Sequence, residues 1–302
     1  MTLAPRPLML SPRVLTPEEL RTRVHVAAQE GVNQIWLEQQ PDQRDATLMA
    51  AAYLAAEPRI TVGTAVLPIY ARHPVSMAQA ASTLAELSDG RFLLGLGYSH
   101  QFVNEYVLGQ RQGPPIAVMR EYLSIVRTLT GEGSVSVEGR FFSAHAQYTN
   151  PVRDVPLYLA ALRPQMIRLA VEFGKGIVIW LCSPRYVRER IMPVVREACA
   201  EFGRPQDDFD IITILPAYVG EEAEERTATW VKSVASYRML PYYRHVLDAY
   251  GKPDPRELCL IGAREQVREQ LNEFREAGCL PAPSPMPGTE KEFLQTVQAV
   301  QS

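Results

Sequence analysis

The sequence predicts an α/β protein built as a single (β/α)8 TIM barrel with small insertions. Three observations carry this. Short runs that favour strands alternate with amphipathic helical stretches, an alternation that yields a parallel sheet covered by helices. Eight strand slots can be counted, the number that closes such a barrel. The 302 residues, 46% hydrophobic and 22% charged, have the make-up of an ordinary globular chain, and α/β barrels commonly reach this length as one domain. An open doubly wound sheet is the competing arrangement.

Residues 7–10 form the first strand. Residues 17–30 form a helix, with Thr16 as N-cap, Pro17 at the first helical position and Glu19 completing a capping box. Leu20, Val24 and Ala27 or Ala28 give it a buried stripe, and Gly31 ends it. Strand 34–37, helix 45–56, strand 60–67, helix 74–87 and strand 92–96 follow. Helix 116–129 turns Met119, Leu123, Val126 and Leu129 inward. An insertion over about 131–150, with alternating Val135 and Val137 and the pair Phe141–Phe142, reads as a small hairpin. Strand 156–160 and helix 164–173 come next, then strand 177–181, helix 184–202 and strand 210–219. An extra helical pair spans about 221–250. Helix 264–277 carries Val267, Leu271 and Phe274 on one stripe. The last strand slot, 279–286, holds prolines at 281, 283, 285 and 287, which cannot donate to a ladder. Helix 290–300 closes the chain.

Composition excludes several functions. No apolar run approaches the roughly 18 residues of a membrane span. Residues 1–10 carry only Arg6 and two prolines, with no signal-peptide core. A net charge of −3 offers no field for nucleic acid or an anionic membrane. Cys182, Cys199, Cys259 and Cys279 form no C-x-x-C, so neither a disulfide framework nor a metal site is expected, and a reducing cytoplasm fits. Four lysines among 31 basic residues leave arginine as the main cation, a planar fork suited to carboxylate and phosphate.

Gly95-Leu96-Gly97 follows a strand but lacks the third glycine of a dinucleotide fingerprint, His100 standing where it belongs. The chain has no phosphate-binding G-x-x-x-x-G-K-[ST], no H-E-x-x-H and no G-x-S-x-G. Residues 60–100 are more specific: Gly63-Thr64, Val66, Pro68, Arg72-His73-Pro74, Ala78-Gln79, and the block from Leu87 through Gly90-Arg91-Phe92 to Gly97. This resembles the luciferase-like flavin and deazaflavin oxidoreductases, in particular the branch using coenzyme F420. Arg120-Glu121-Tyr122-Leu123, Glu138-Gly139-Arg140-Phe141-Phe142, the segment 156–164, Leu240-Pro241-Tyr242-Tyr243 and Leu260-Ile261-Gly262 extend the resemblance over nearly the whole chain. It implies a barrel with its cofactor at the C-terminal strand ends.

Strand-end positions 38–40, 65–68, 98–100, 162–163 and 181–183 should converge on one mouth. By the resemblance, a non-proline cis peptide at Ala65–Val66 backs the tricyclic ring. Gly97, Tyr98 and Ser99 border it. Leu162 and Arg163 precede a helix opened by Pro164, whose first turn, with Gln165 and Met166, attracts a phosphate; Arg163 pairs with the phosphodiester or the acidic tail. Relatives with an acid–histidine pair after the second strand have their counterpart in Glu38, but Gln39 and Gln40 replace the histidine. His100 is then the candidate acid, an imidazole near its normal pKa. His73 anchors a turn with Arg72. Trp36, Tyr98, Phe102 and Trp180 are expected to line an apolar substrate pocket. The segment 180–183, without a lysine, does not suit a phosphosugar, and Cys182 reads as a buried small hydrophobe.

The expected activity is that of an F420-dependent oxidoreductase. Hydride passes between deazaflavin C5 and a C=C or C=N bond of a moderately apolar small metabolite, in specialised metabolism. An FMN-dependent monooxygenase on the same barrel is one alternative, with FMN in place of F420. A non-catalytic cofactor-binding protein is another. The partner is a small-molecule substrate, without metal, nucleic acid or membrane, and a homodimer is left open.

Overall fold

The computed structural model describes residues 4–150, 154–249 and 254–301. The end of the expected helical pair, at residue 250, lies outside them, as do residues 1–3 of the amino-terminal segment. The first strands are β1 (Pro7–Met9), β2 (Gln34–Leu37), β3 (Thr61–Thr64), the two-residue β4 (Leu67–Pro68) and β5 (Phe92–Gly97). A hairpin of β6 (Ser134–Glu138) and β7 (Ser143–Gln147) stands apart as an antiparallel pair. The sheet resumes with β8 (Leu157–Ala160), β9 (Gly176–Trp180), β10 (Asp210–Tyr218), β11 (Leu260–Ile261) and β12 (Leu280–Pro285). Its hydrogen-bonded order is β1-β2-β3-β5-β8-β9-β10-β11, with β4 beside β5 and β12 beside β10, every pair parallel. β12 also packs along β1, which closes the barrel.

The β12–β1 seam has no ladder, and the prolines explain why. Within a strand, N–H groups of alternate residues point to the same edge. Met286 donates to the Ala217 carbonyl of β10, so even-numbered positions of β12 serve β10. Pro281, Pro283 and Pro285 therefore face β1. Leu10 donates to Trp36 of β2, which turns Pro7 and Met9 of β1 toward β12. Met9 is then the one N–H donor these facing positions retain. Packing holds the seam while β10 secures the strand.

The helices begin where the chain signals them. Thr16 and Glu19 complete the capping box of α1 (Pro17–Gln29). Asp45 caps α2 (Ala46–Ala56) through Thr47 and Leu48. His73 caps α3 (Pro74–Leu87), its Nδ1 accepting from Val75 at 3.3 Å. Arg72 turns instead to Asp45 at 2.5 Å. α4 (Pro115–Glu132) ends at Gly133, φ +77°. From α4, Glu121 accepts the backbone N–H groups of Arg140, Phe141 and Phe142, which hold the hairpin's turn. α5 (Pro164–Phe173) covers the next strands. α6 (Pro184–Tyr186) passes through a wide π turn, Val187–Ile191, into α7 (Met192–Glu201), where one continuous helix was expected. α8 (Ala223–Tyr237) and α9 (Pro241–Asp248) form the extra pair, and α10 (Arg264–Glu276) and α11 (Glu290–Gln301) complete the ring.

One apolar layer fills the space between sheet and helices. A smaller one plugs the barrel itself: Met9, Trp36, Leu93, Tyr158, Val178, Ile212, Ile214 and Ala282.

Candidate active site

The strand expected over residues 60–67 is broken. β3 stops at Thr64, a cis peptide joins Ala65 to Val66, and pairing resumes at Leu67. The glycines of β5 make room for this bulge. A Cβ on Gly95 would lie 1.7 Å from the Thr64 carbonyl oxygen, and one on Gly97 would lie 2.5 Å from Val66 Cγ2. Thr64 Oγ1 locks the join, donating to the Gly95 carbonyl at 2.9 Å and accepting from its N–H at 2.8 Å. Gly95-Leu96-Gly97 is thus a seat for the bulge. Ala65 and Val66 are half-buried, an apolar floor at the mouth.

Glu38 leaves β2 on the same side as Trp36. Its Oε1 accepts from Ser11 Oγ at 2.6 Å and from Gln43 Nε2 at 2.9 Å. Its Oε2 is buried without a hydrogen-bond partner. Trp36 lies one layer deeper. It is fully buried, 5.0 Å from the Tyr158 ring, and so close to Gly63 that a Cβ there would sit 2.5 Å from the indole. The expectation that Trp36 lines the pocket is corrected: it is barrel core.

β9 ends opposite β2, at half-buried Trp180. Its ring meets Trp230 of α8 at 5.6 Å and Tyr237 at 6.1 Å, both edge-on. Tyr237 meets Tyr243 of α9 at 5.3 Å, and Tyr243 meets His100 at 5.5 Å. The helical pair thereby forms an aromatic roof over one side of the mouth. Tyr237 and Tyr243 were not among the expected site residues; the signal available was the segment Leu240–Tyr243, recognised without a role. Burial pushes His100 below the usual imidazole value, which replaces the expected near-normal pKa.

Ser99 and Leu181, the residues after Gly97-Tyr98 and Trp180, adopt φ of +66° and +59°, and Val14 after β1 adopts +69°. Such conformations cost a non-glycine residue about 1–2 kcal/mol. All three lie beyond the C-terminal ends of barrel strands, and strain of this kind collects at functional sites. Tyr98 points outward from β5: its hydroxyl donates to the Gly113 carbonyl and accepts from Tyr70 at 3.3 Å. It anchors the loop to residue 113 rather than lining a pocket. Phe102 stands in a π turn, Phe102–Val107, 64% exposed and stacked on Tyr106 at 5.0 Å, so it walls no enclosed pocket.

Arg163 is the N-cap residue of α5, exposed, with its guanidinium 5.7 Å from the Tyr242 ring centroid. No carboxylate among the described residues pairs with it. Met166 N–H already bonds the Arg163 carbonyl at 3.0 Å, and Pro164 has none, so the first turn offers an anion the N–H of exposed Gln165. Half-buried Leu162 and Met166 flank it. Cys182 is fully buried, its thiol pushed well up by burial, which suits packing and not nucleophilic chemistry.

Two concavities stand out. One of about 590 Å³ lies between α4 and the hairpin, away from the strand ends. A smaller one of about 250 Å³ opens at the mouth's edge, between Gln39, Pro68, Arg72, Met77 and Val107. The apolar floor, the uncommitted Oε2, the aromatic roof and the unpaired Arg163 together fit a flat polycyclic cofactor with an anionic tail. Among the described residues no helix is long and apolar enough to cross a membrane.

Residues 1–280 match the family model described as luciferase-like monooxygenase. The chain is 35% identical over 203 residues to the putative coenzyme F420-dependent oxidoreductase Rv3520c of Mycobacterium tuberculosis, covering 59% of this chain and 56% of that one. It is 32% identical over 165 residues to the F420-dependent glucose-6-phosphate dehydrogenase of Intrasporangium calvum, covering 50% and 48%. The chain thus spans about half the length of these curated relatives. A solved F420-dependent secondary alcohol dehydrogenase, in complex with an F420–acetone adduct, superposes with a TM-score of 0.82 at 18% identity, over 98% of this chain and 99% of that one. At that identity the likeness is one of fold.

Proposed function

The chain belongs to the luciferase-like monooxygenase family, and from that premise we propose that it is a coenzyme F420-dependent oxidoreductase working in the cytoplasm as one barrel domain. It reduces a C=C or C=N bond of a moderately apolar metabolite. The observation that carries this is the mouth itself: the half-buried Ala65–Val66 floor seated on Gly95 and Gly97, facing an aromatic roof. The curated F420-dependent relatives favour F420 over FMN.

When bound, a reduced deazaflavin supplies a hydride; the protein supplies position and dryness. In this reading Ala65, Val66 and Gly97 back the ring. Ser99, Leu162 and Met166 border it, with Tyr98 acting through the loop it anchors. Arg163 and the Gln165 N–H hold the anionic tail. Trp180, Tyr237 and Tyr243 exclude water above it. Glu38 stands at the end of β2 beside the substrate space, its Oε2 buried without a partner. His100 borders the same space, and burial disfavours its protonated form, which argues against it as the proton donor.

Fluorescence titration of the full chain with F420 and FMN tests the reading. Tighter F420 binding is expected. Equal or stronger FMN binding moves the assignment to a flavin monooxygenase.

A further inference from the structure

We propose that the mouth selects a cationic nitrogen compound, an iminium or ammonium species, which Glu38 and the rings of Trp180, Tyr237 and Tyr243 hold between them. The inference rests on the reading above and narrows its substrate class.

Glu38 is an incompletely satisfied carboxylate. Both of its donors, Ser11 and Gln43, serve Oε1, and Oε2 is buried with none. No arginine or lysine among the described residues forms an ion pair with it. Arg13, on the same side of the mouth, is bound to Asp42, and Arg44 donates to the Pro12 carbonyl at 2.8 Å. A buried carboxylate oxygen without a counter-charge burdens the free protein, and a guest that brings positive charge relieves that burden.

The roof points to the same class. Trp180 closes the mouth from the strand opposite Glu38, and Tyr237 and Tyr243 continue the wall edge to face at 6.1 and 5.3 Å. Arg13 and, more weakly, Glu38 both act on the Tyr237 hydroxyl, in opposite directions, and of the two Arg13 already has its partner in Asp42. Aromatic faces attract desolvated cations, and rings beside a carboxylate are a recurrent way to hold a substituted ammonium. A neutral apolar guest would satisfy the rings and leave Oε2 as it is. An anionic guest would meet Glu38 directly.

The chemistry is consistent. An iminium asks the protein for no proton. Addition of hydride at carbon moves the C=N π pair to nitrogen and cancels the charge, the reduced deazaflavin being oxidised by loss of that hydride. This suits a mouth in which burial disfavours the charged form of His100.

The test compares tetrahydroisoquinoline, an ammonium at neutral pH, with its uncharged isostere tetrahydronaphthalene. Both are titrated by calorimetry into the full chain, alone and saturated with oxidised F420. The cation should bind at least tenfold more tightly. Glu38→Gln should lower cation affinity about 10- to 100-fold, the worth of one charge-assisted contact, and leave the neutral probe within twofold. Tyr237→Leu, at the roof, should weaken the cation more than the neutral probe. Equal affinity for the two probes, no cation binding at millimolar concentration, or a folded Glu38→Gln protein that keeps its preference overturns the proposal. Selective cation binding without F420 binding sinks the functional reading and leaves this one standing. F420 binding without cation selectivity does the reverse.

Discussion

Replacing Gly97 by alanine puts a methyl carbon 2.5 Å from Val66 Cγ2, about an ångström inside ordinary contact. Val66 is β-branched and stiff about χ1, so the bulge itself must yield. Overpacking of this kind costs about 1–3 kcal/mol. Alanine's smaller unfolded-state entropy returns about 0.4–1 kcal/mol. The net loss should be about 1–2 kcal/mol. Val66→Ala alone removes two methyl groups from a half-buried side chain, worth about 1 kcal/mol. In the double variant the nearest remaining atoms are Ala160 Cβ at 3.4 Å and Val66 Cβ at 3.7 Å, both ordinary contacts. The two losses should therefore not add: a double-mutant cycle should return about 1–3 kcal/mol of favourable coupling. Urea unfolding of the four proteins, read at constant slope, measures it. F420 titration of Gly97→Ala should also show weakened binding, restored by Val66→Ala. Additive losses would refute the claim that Gly97 exists to seat Val66.

Arg163→Ala should weaken F420 binding about 10- to 100-fold, since a charge-assisted contact contributes about 1.5–3 kcal/mol. Its exposed position keeps the change in stability within about 0.5 kcal/mol, and an unchanged dissociation constant would leave the cofactor's tail to the backbone. His100 carries a depressed pKa in the folded state. The unfolded chain therefore binds the extra proton first, so stability is full above pH of about 6.5 and falls as pH drops from there toward the folded value. His100→Gln should flatten that part of the stability–pH curve and lower turnover by less than tenfold, below the 10²–10⁴-fold expected of a general acid. A larger loss with a shifted pH–rate profile would restore His100 as proton donor.

The helix starts were legible because the chain marks them with local chemistry. Prolines at 17, 74 and 164 and the cap Thr16 act within one turn, and the helices begin there; Asp45, read as the first helical residue, is instead the cap of its helix. The bulge at Ala65–Val66 was legible only through resemblance; composition alone reads the segment as one strand. The π turns at Phe102–Val107 and Val187–Ile191 left no sequence mark, since each depends on how one helical turn meets its neighbours. Tyr237 and Tyr243 were hidden because the helical pair reaches the mouth by tertiary packing, about 140 residues from His100 in sequence.

Tyr98 and Trp36 are misplaced by strand geometry, the first by parity and the second by depth, and Phe102 by its π turn. Side chains alternate across a strand, so parity decides which of them can reach the barrel axis. Leu93 lies in the barrel plug, so Gly95 and Gly97 face inward and Tyr98 faces the helices. Val178 lies in the plug, so Trp180 faces inward at the next layer up. Trp36 and Glu38 share a face two residues apart, and the lower of the two must be core. Position past the strand end selects candidates for the mouth, but only those with the inward parity enter it. By that rule Glu38 and Trp180 come from opposite strands as the two inward groups at one level. On the function proposed above, the carboxylate and the indole would border the substrate from opposite sides of the mouth.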